Sequence, residues 1–126
     1  MKIVYIAHPI GGDVASNMKK VLDIVRKINL EEKDIMPFAP YIVDVLAMND
    51  NNPEEREIGL RNCYTVLNSN FVDELWLYGP QLTAGMKAEV DLALDKLMPV
   101  YVKDPEMDLP FGYQFIKRDG DEDNKG

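Results

Sequence analysis

The sequence holds little of what many enzyme chemistries require. It has one cysteine, Cys63, and one histidine, His8, among 126 residues. A single cysteine closes no internal disulfide, which fits a reducing compartment. A single histidine does not build a common zinc site, and the carboxylates near it lack ligand spacing, so no metal is expected. There is no Gly-x-Gly-x-x-Gly, no Walker loop and no Gly-x-Ser-x-Gly, and no cofactor is expected. Basic residues are outnumbered, 14 Lys and Arg against 22 Asp and Glu, for a net charge of -8. That balance repels a phosphate polymer, so a DNA- or RNA-binding role is not expected. No apolar run approaches the ~20 residues that span a bilayer. The opening run Met1 to Ile6 is also too short for a signal peptide. The expectation is a cytoplasmic protein without a membrane partner.

What is present suits one folded domain. Hydrophobic residues make up 46% and charged residues 29%, which excludes wholesale disorder. The length fits a single core. Lys2 to Ala7 is short and β-branched and reads as a strand, stopped by His8-Pro9 and the turn at Gly11-Gly12. Asp13 caps a helix whose apolar stripe runs Val14, Met18, Val21, Leu22, Val25, Ile28. Asp34 to Ala39 reads as a second strand and Tyr41 to Met48 as a short helix. Asn52 then caps a helix that begins with Pro53 and the acidic pair Glu54-Glu55 and runs to about Asn68. Val72 to Tyr78 is a third strand, Gly79 to Gly85 a loop, and Met86, Val90, Ala93, Leu94 and Leu97 mark a further helix. Pro99 to Val102 is a last strand, after which the pattern fades. The domain is expected over residues 1–118, with a disordered acidic tail over 119–126.

Strands alternating with helices imply βαβ units and an α/β fold with a four- to five-stranded parallel sheet. In such sheets ligands bind beyond the strand carboxyl ends. Those ends lead here into His8-Pro9-Ile10-Gly11-Gly12 and into the Gly79 to Gly85 loop. Glu89 follows that second loop at the edge of its helix's apolar stripe, where a carboxylate can face the crevice. On position alone the simpler reading is a boundary glutamate without a chemical role. Thr83 and the N–H groups of Ala84, Gly85 and Met86 can cradle a phosphate or a ribose hydroxyl, or form a plain helix cap. Tyr5 on the first strand either hydrogen-bonds a carboxylate in the crevice or is a core aromatic. His8 follows the strand directly and can reach a base or a phosphate. Cys63 reads as a buried small hydrophobe.

One combination of these residues is distinctive. Tyr5-Ile6-Ala7-His8-Pro9-Ile10, then Asn17, then Asp73-Glu74-Leu75-Trp76, then Thr83-Ala84-Gly85-Met86-Lys87-Ala88-Glu89, then Ala93 and Pro99-Val100, resembles the nucleoside 2-deoxyribosyltransferase-like superfamily, closest to its small bacterial and phage branch. The resemblance covers roughly residues 1–103. It implies a flavodoxin-like three-layer sandwich and cleavage of the N-glycosidic bond of a nucleoside or nucleotide. It assigns Glu89 as the nucleophile at C1′ and Tyr5 as the residue that orients it. His8, Pro9, Gly11, Gly12, Asn17, Asn62, Gly79, Thr83, Gly85 and Met86 are the expected substrate contacts. A hydroxyl residue at Thr83 resembles the members that act on 5′-monophosphates.

The resemblance also implies an aspartate on the helix before the third strand, beside the leaving base. The sequence there reads Asn62-Cys63-Tyr64-Thr65, without a carboxylate. His8, Asn62 or a neighbouring subunit is then left to serve the base. That gap keeps two other functions open: a non-catalytic binder of a nucleotide or nucleotide-derived signal, and an NAD-type N-ribosyl hydrolase using the same glutamate. The expected partner is a small nucleoside or nucleotide, and the expected assembly a homo-oligomer, dimer or larger.

Overall fold

The computed structural model describes residues 1–119. The elements run β1 (Lys2–Ala7), α1 (Val14–Glu31), β2 (Ile35–Phe38), α2 (Tyr41–Ala47), α3 (Pro53–Leu67), β3 (Glu74–Leu77), α4 (Ala84–Asp95), β4 (Val100–Val102) and β5 (Lys117–Arg118). The five strands form one sheet in the order β2-β1-β3-β4-β5, and every pairing is parallel. This is the flavodoxin-like order, in which the connections reverse direction beside β1.

Alternation along the central strands divides the core in two. Val4, Ile6 and Trp76 face one side, where Ile28 of α1 packs on them. Tyr5, Ala7, Leu75 and Leu77 face the other, covered by Cys63 and Leu67 of α3 and by Met86, Val90 and Ala93 of α4. The sheet is therefore the middle of three layers. β1 and β3 are buried on both faces, as the central strands of a doubly covered parallel sheet must be.

The caps set the helix starts. Asp13 accepts from Ser16 N at 3.1 Å, and Asn52 accepts from Glu54 N at 2.9 Å. Asp73 and Glu74 do structural work at the sheet's amino edge, away from the crevice. Asp73 Oδ2 accepts from Ile3 N at 2.8 Å. Glu74, a buried carboxylate, takes hydrogen bonds from Lys2 Nζ at 2.6 Å and Trp76 Nε1 at 2.8 Å.

Several expectations need correction. Leu22, assigned to the apolar stripe of α1, is 52% exposed. The segment after Asp104 was expected to lack pattern, yet it seats Met107, Leu109 and Ile116 in the core and returns as β5. The expected tail, 119–126, lies outside the described residues except for Asp119. That residue is tied back to β4 by its own N–H to Val102 O at 2.7 Å and by Lys103 Nζ at 2.9 Å.

Candidate functional site

The carboxyl ends of β1 and β3 open into a cavity of about 270 Å³. Its wall is shared by the β1–α1 loop, α2 and the loop after it, α3 from Glu55 to Cys63, and the first turns of α4 with Glu89. That volume approaches the lower range of small-molecule sites, about 300 Å³.

Glu89 is 9% exposed and Tyr5 is fully buried. The Tyr5 hydroxyl donates a hydrogen bond to Glu89 Oε2, joining the middle strand to α4. This bond occupies one carboxylate oxygen and leaves Oε1 for chemistry. Glu89 lies beyond the first turn of α4, where the helix terminus gives limited help to an anion. Burial pushes its pKa up from the usual 4.5 to about 7, and the Tyr5 hydrogen bond pulls in the opposite direction. Burial, and then the charge of Glu89, hold the Tyr5 hydroxyl well above its ordinary pKa, so it stays a donor. The Tyr41 ring lies tilted against that of Tyr5, with centroids 6.1 Å apart and an angle of 43° between the planes, and lines the cavity.

The expected contact residues fall into three groups. His8, Gly11, Thr83, Gly85 and Met86 line the cavity with Glu89. Pro9, Asn17 and Gly79 line an adjoining outer hollow, which shares His8, Gly11 and Thr83 with the cavity and adds Lys20 and Asp104. Gly12 and Asn62 are exposed and stand in neither wall.

Several of these residues have definite structural tasks. Asn17 Nδ2 donates to the carbonyls of Ile10 and Gly11, each at 3.1 Å, and so braces the β1–α1 loop. Gly79 has φ +102, and a Cβ there would meet Pro9 Cδ at 2.6 Å, so only glycine lets the two crevice loops touch. Gly85 has open space where its side chain would be, which keeps the wall back from the cavity. Thr83 Oγ1 accepts from Met86 N at 3.2 Å as the cap of α4. Its O–H proton has no partner among the described residues.

His8 Nδ1 lies 2.7 Å from Pro9 O. A carbonyl only accepts, so Nδ1 carries the proton and Nε2 is the free lone pair. Burial lowers its pKa, opposed by that backbone bond. His8 is thus neutral near pH 7 and accepts at Nε2.

Sequence reasoning missed the opposite wall. Asp44 and Val45 from α2, its C-terminal cap residue Met48, the loop residues Asn49 and Asp50, and Glu55, Arg56, Gly59 and Leu60 from α3 complete the cavity. Asp50 pairs with Arg56 at 3.3 Å, and Glu55 Oε1 accepts from Asn49 N at 3.1 Å. Asn62 reaches the site indirectly, donating to Asp44 Oδ2 at 3.3 Å. The signal available beforehand was only a run of acidic residues around a loop, which by composition reads as solvated surface. Among the described residues no cluster of three or more His, Cys, Asp or Glu has the placement to hold a metal ion.

Fold and site together define a class: a flavodoxin-like α/β domain with a buried carboxylate–tyrosine pair beneath a small-molecule cavity at the sheet's carboxyl edge. Residues 2–103 match the family described as a domain of unknown function (DUF7768), and the chain belongs to that family. No curated protein matches it. Two solved structures share the architecture. One is a conserved protein from Enterococcus faecalis V583, 25% identical, with a TM-score of 0.58 over 81% of this chain and 62% of that one. The other is a 2-deoxyribosyltransferase from Leishmania mexicana, 15% identical, with a TM-score of 0.54 over 82% of this chain and 65% of that one. The chain therefore spans less than two thirds of the length of either neighbour. At 15% identity the second likeness shows the fold alone. No helix among the described residues is long and apolar enough to cross a membrane.

Proposed function

We propose that the protein is an N-glycosidase or 2-deoxyribosyltransferase acting on a nucleoside or nucleotide, with Glu89 as nucleophile. The observation that carries this reading is the buried Glu89–Tyr5 pair, whose glutamate lines the cavity. The 2-deoxyribosyltransferase activity named for a structural neighbour points the same way.

Glu89 Oε1 attacks C1′ of the sugar. The C1′–N bond breaks, its electron pair leaves with the base, and a glycosyl ester forms on Glu89. Water then takes the sugar in hydrolysis, or a second base in transfer, and the Glu89 carboxylate is restored. Tyr5 holds Oε2 and fixes the direction of attack. Thr83 faces both hollows, and with the start of α4, which faces the cavity, it suits a ribose hydroxyl or a 5′-phosphate.

The test is incubation with each 2′-deoxynucleoside, its 5′-monophosphate and NAD, followed by chromatography for free base. Base release that is lost in Glu89→Ala, with the variant still folded by circular dichroism, is the expected result. Undiminished release by Glu89→Ala would remove the mechanism. Tight retention of an intact ligand without product would instead favour a binding protein.

A further inference from the structure

Two hollows meet at the carboxyl edge of the sheet, and the base and sugar of a nucleoside need only one of them. The outer hollow has a volume of about 640 Å³, against about 270 Å³ for the cavity that Glu89 lines. Both are walled by His8, Gly11 and Thr83, so these three residues form a neck between them.

Charge decides which way a phosphorylated ligand lies. The far wall of the cavity carries Asp44, Asp50 and Glu55, and its one cation, Arg56, is already paired with Asp50 at 3.3 Å. A phosphate is repelled there, whereas the amino and ring N–H groups of a base find acceptors. The phosphate end is thereby directed to the neck. Thr83 caps α4 at the neck, about 9 Å along the helix axis from Glu89, which leaves room for a pentose between the two. His8 is 9% exposed there, and its Nε2 lone pair has no partner among the described residues. A lone pair suits a sugar hydroxyl. It disfavours a terminal phosphate, which carries close to two negative charges at pH 7, more than the singly charged phosphates inside a diphosphate linkage.

Beyond the neck, one phosphate group leaves most of the outer hollow unfilled. Lys20 stands in its wall and makes no ion pair among the described residues. Of the two carboxylates there, Asp23 is held by Lys19 at 3.2 Å. Asp104 accepts from Glu106 N at 3.0 Å through Oδ1 and keeps Oδ2 open. Ile24 and Tyr78, both partly buried against the core, supply an apolar flank.

Building on the Glu89 reading, we infer that the substrate is a dinucleotide, two nucleosides joined by a 5′,5′-diphosphate, with the cleaved nucleoside in the cavity and the second in the outer hollow. The diphosphate lies at the neck, where the Thr83 hydroxyl donates to one phosphate and the Lys20 ammonium to the other. Asp104 Oδ2 accepts from the hydroxyls of the distal sugar, and the apolar flank takes the distal base. The bond that breaks is still C1′–N of the inner nucleoside. Its base leaves, and the remaining sugar, diphosphate and second nucleoside stay joined.

The experiment measures affinity by calorimetry on full-length Glu89→Gln, which keeps the ligands intact. Each common nucleoside 5′-monophosphate is compared with its symmetric 5′,5′-diphosphate dinucleotide, and nicotinamide mononucleotide with NAD. At least one dinucleotide is expected to bind about 10-fold or more tightly than its monophosphate, the gain of one charge-assisted contact. Adding Lys20→Glu, or filling the hollow with Gln81→Trp, is expected to reduce that advantage to less than about threefold while leaving the monophosphate Kd within about threefold. Dinucleotides that bind no better than monophosphates, or not at all, overturn the outer subsite, as does an advantage that survives both substitutions. The Glu89 reading is decided separately, by base release from the same ligands in the wild type. Release from none of them overturns that reading, and the affinity ratio still decides for or against the outer subsite.

Discussion

Glu89 is a carboxylate that the fold disfavours in its charged form, and this has two measurable consequences. The first concerns activity. A nucleophile must be ionised, so the rate should rise with pH through about 7, the value to which burial pushes Glu89. Tyr5→Phe removes the hydrogen bond that opposes this rise, so the acid limb should move to still higher pH and kcat should fall about 10- to 100-fold by loss of orientation. A pH–rate profile of wild type and variant checks both. The second consequence is for stability. The folded pKa lies above the ordinary 4.5, so the native state binds the proton more tightly than the unfolded chain. Its contribution is complete below about pH 4.5 and is lost as pH rises through about 7, a swing of roughly 3 kcal/mol. Glu89→Gln should therefore raise the melting temperature more at about pH 8 than at about pH 5, where wild-type Glu89 is mostly protonated.

Among the elements, those with strong periodicity or clear caps were legible in the sequence. β1 falls at Lys2–Ala7 as expected, and α3 begins at Pro53 behind an Asn52 cap as expected. β5 was not legible. It is two charged residues, Lys117–Arg118, joined to β4 after an irregular segment, and neither alternation nor β-propensity marks it. Leu92 of α4, which lies off the apolar stripe of Met86, Val90, Ala93, Leu94 and Leu97, is half-buried and packs against the core, because α4 is wedged between α3 and the sheet. The two halves of the site were unequally visible. Glu89 and Tyr5 could be named because a strand residue and a helix residue recur in a known pattern. Asp44 could not, because α2 spans only Tyr41–Ala47 and seven residues do not fix a helix face. The crevice loops yield a prediction of their own. Gly79→Ala forces a Cβ against Pro9 at a positive φ and should cost about 1–3 kcal/mol, read as a lower urea midpoint with little change in the slope of the transition.

In the whole molecule, the family match ends at residue 103 but the core does not. Met107, Leu109 and Ile116 are 2%, 6% and 5% exposed and complete the layer that carries α4 and β4. Ending the chain after Lys103 should remove several kcal/mol from a domain expected to have about 5–15. A truncated protein that is largely unfolded at room temperature by circular dichroism is the expected outcome. The same three-layer packing places the paired ends of β1 and β3 under α4, so the fold itself presents Glu89 to the cavity. The claim that this carboxylate bonds covalently to a sugar is tested most directly by mass spectrometry after incubation with a 2′-deoxy-2′-fluoro nucleoside or nucleotide, whose glycosyl ester hydrolyses slowly. The account predicts one added fluoro-sugar per chain, mapped to the peptide containing Glu89 and absent from Glu89→Gln. An adduct on another side chain, or unmodified protein after the analogue has been consumed, would contradict it.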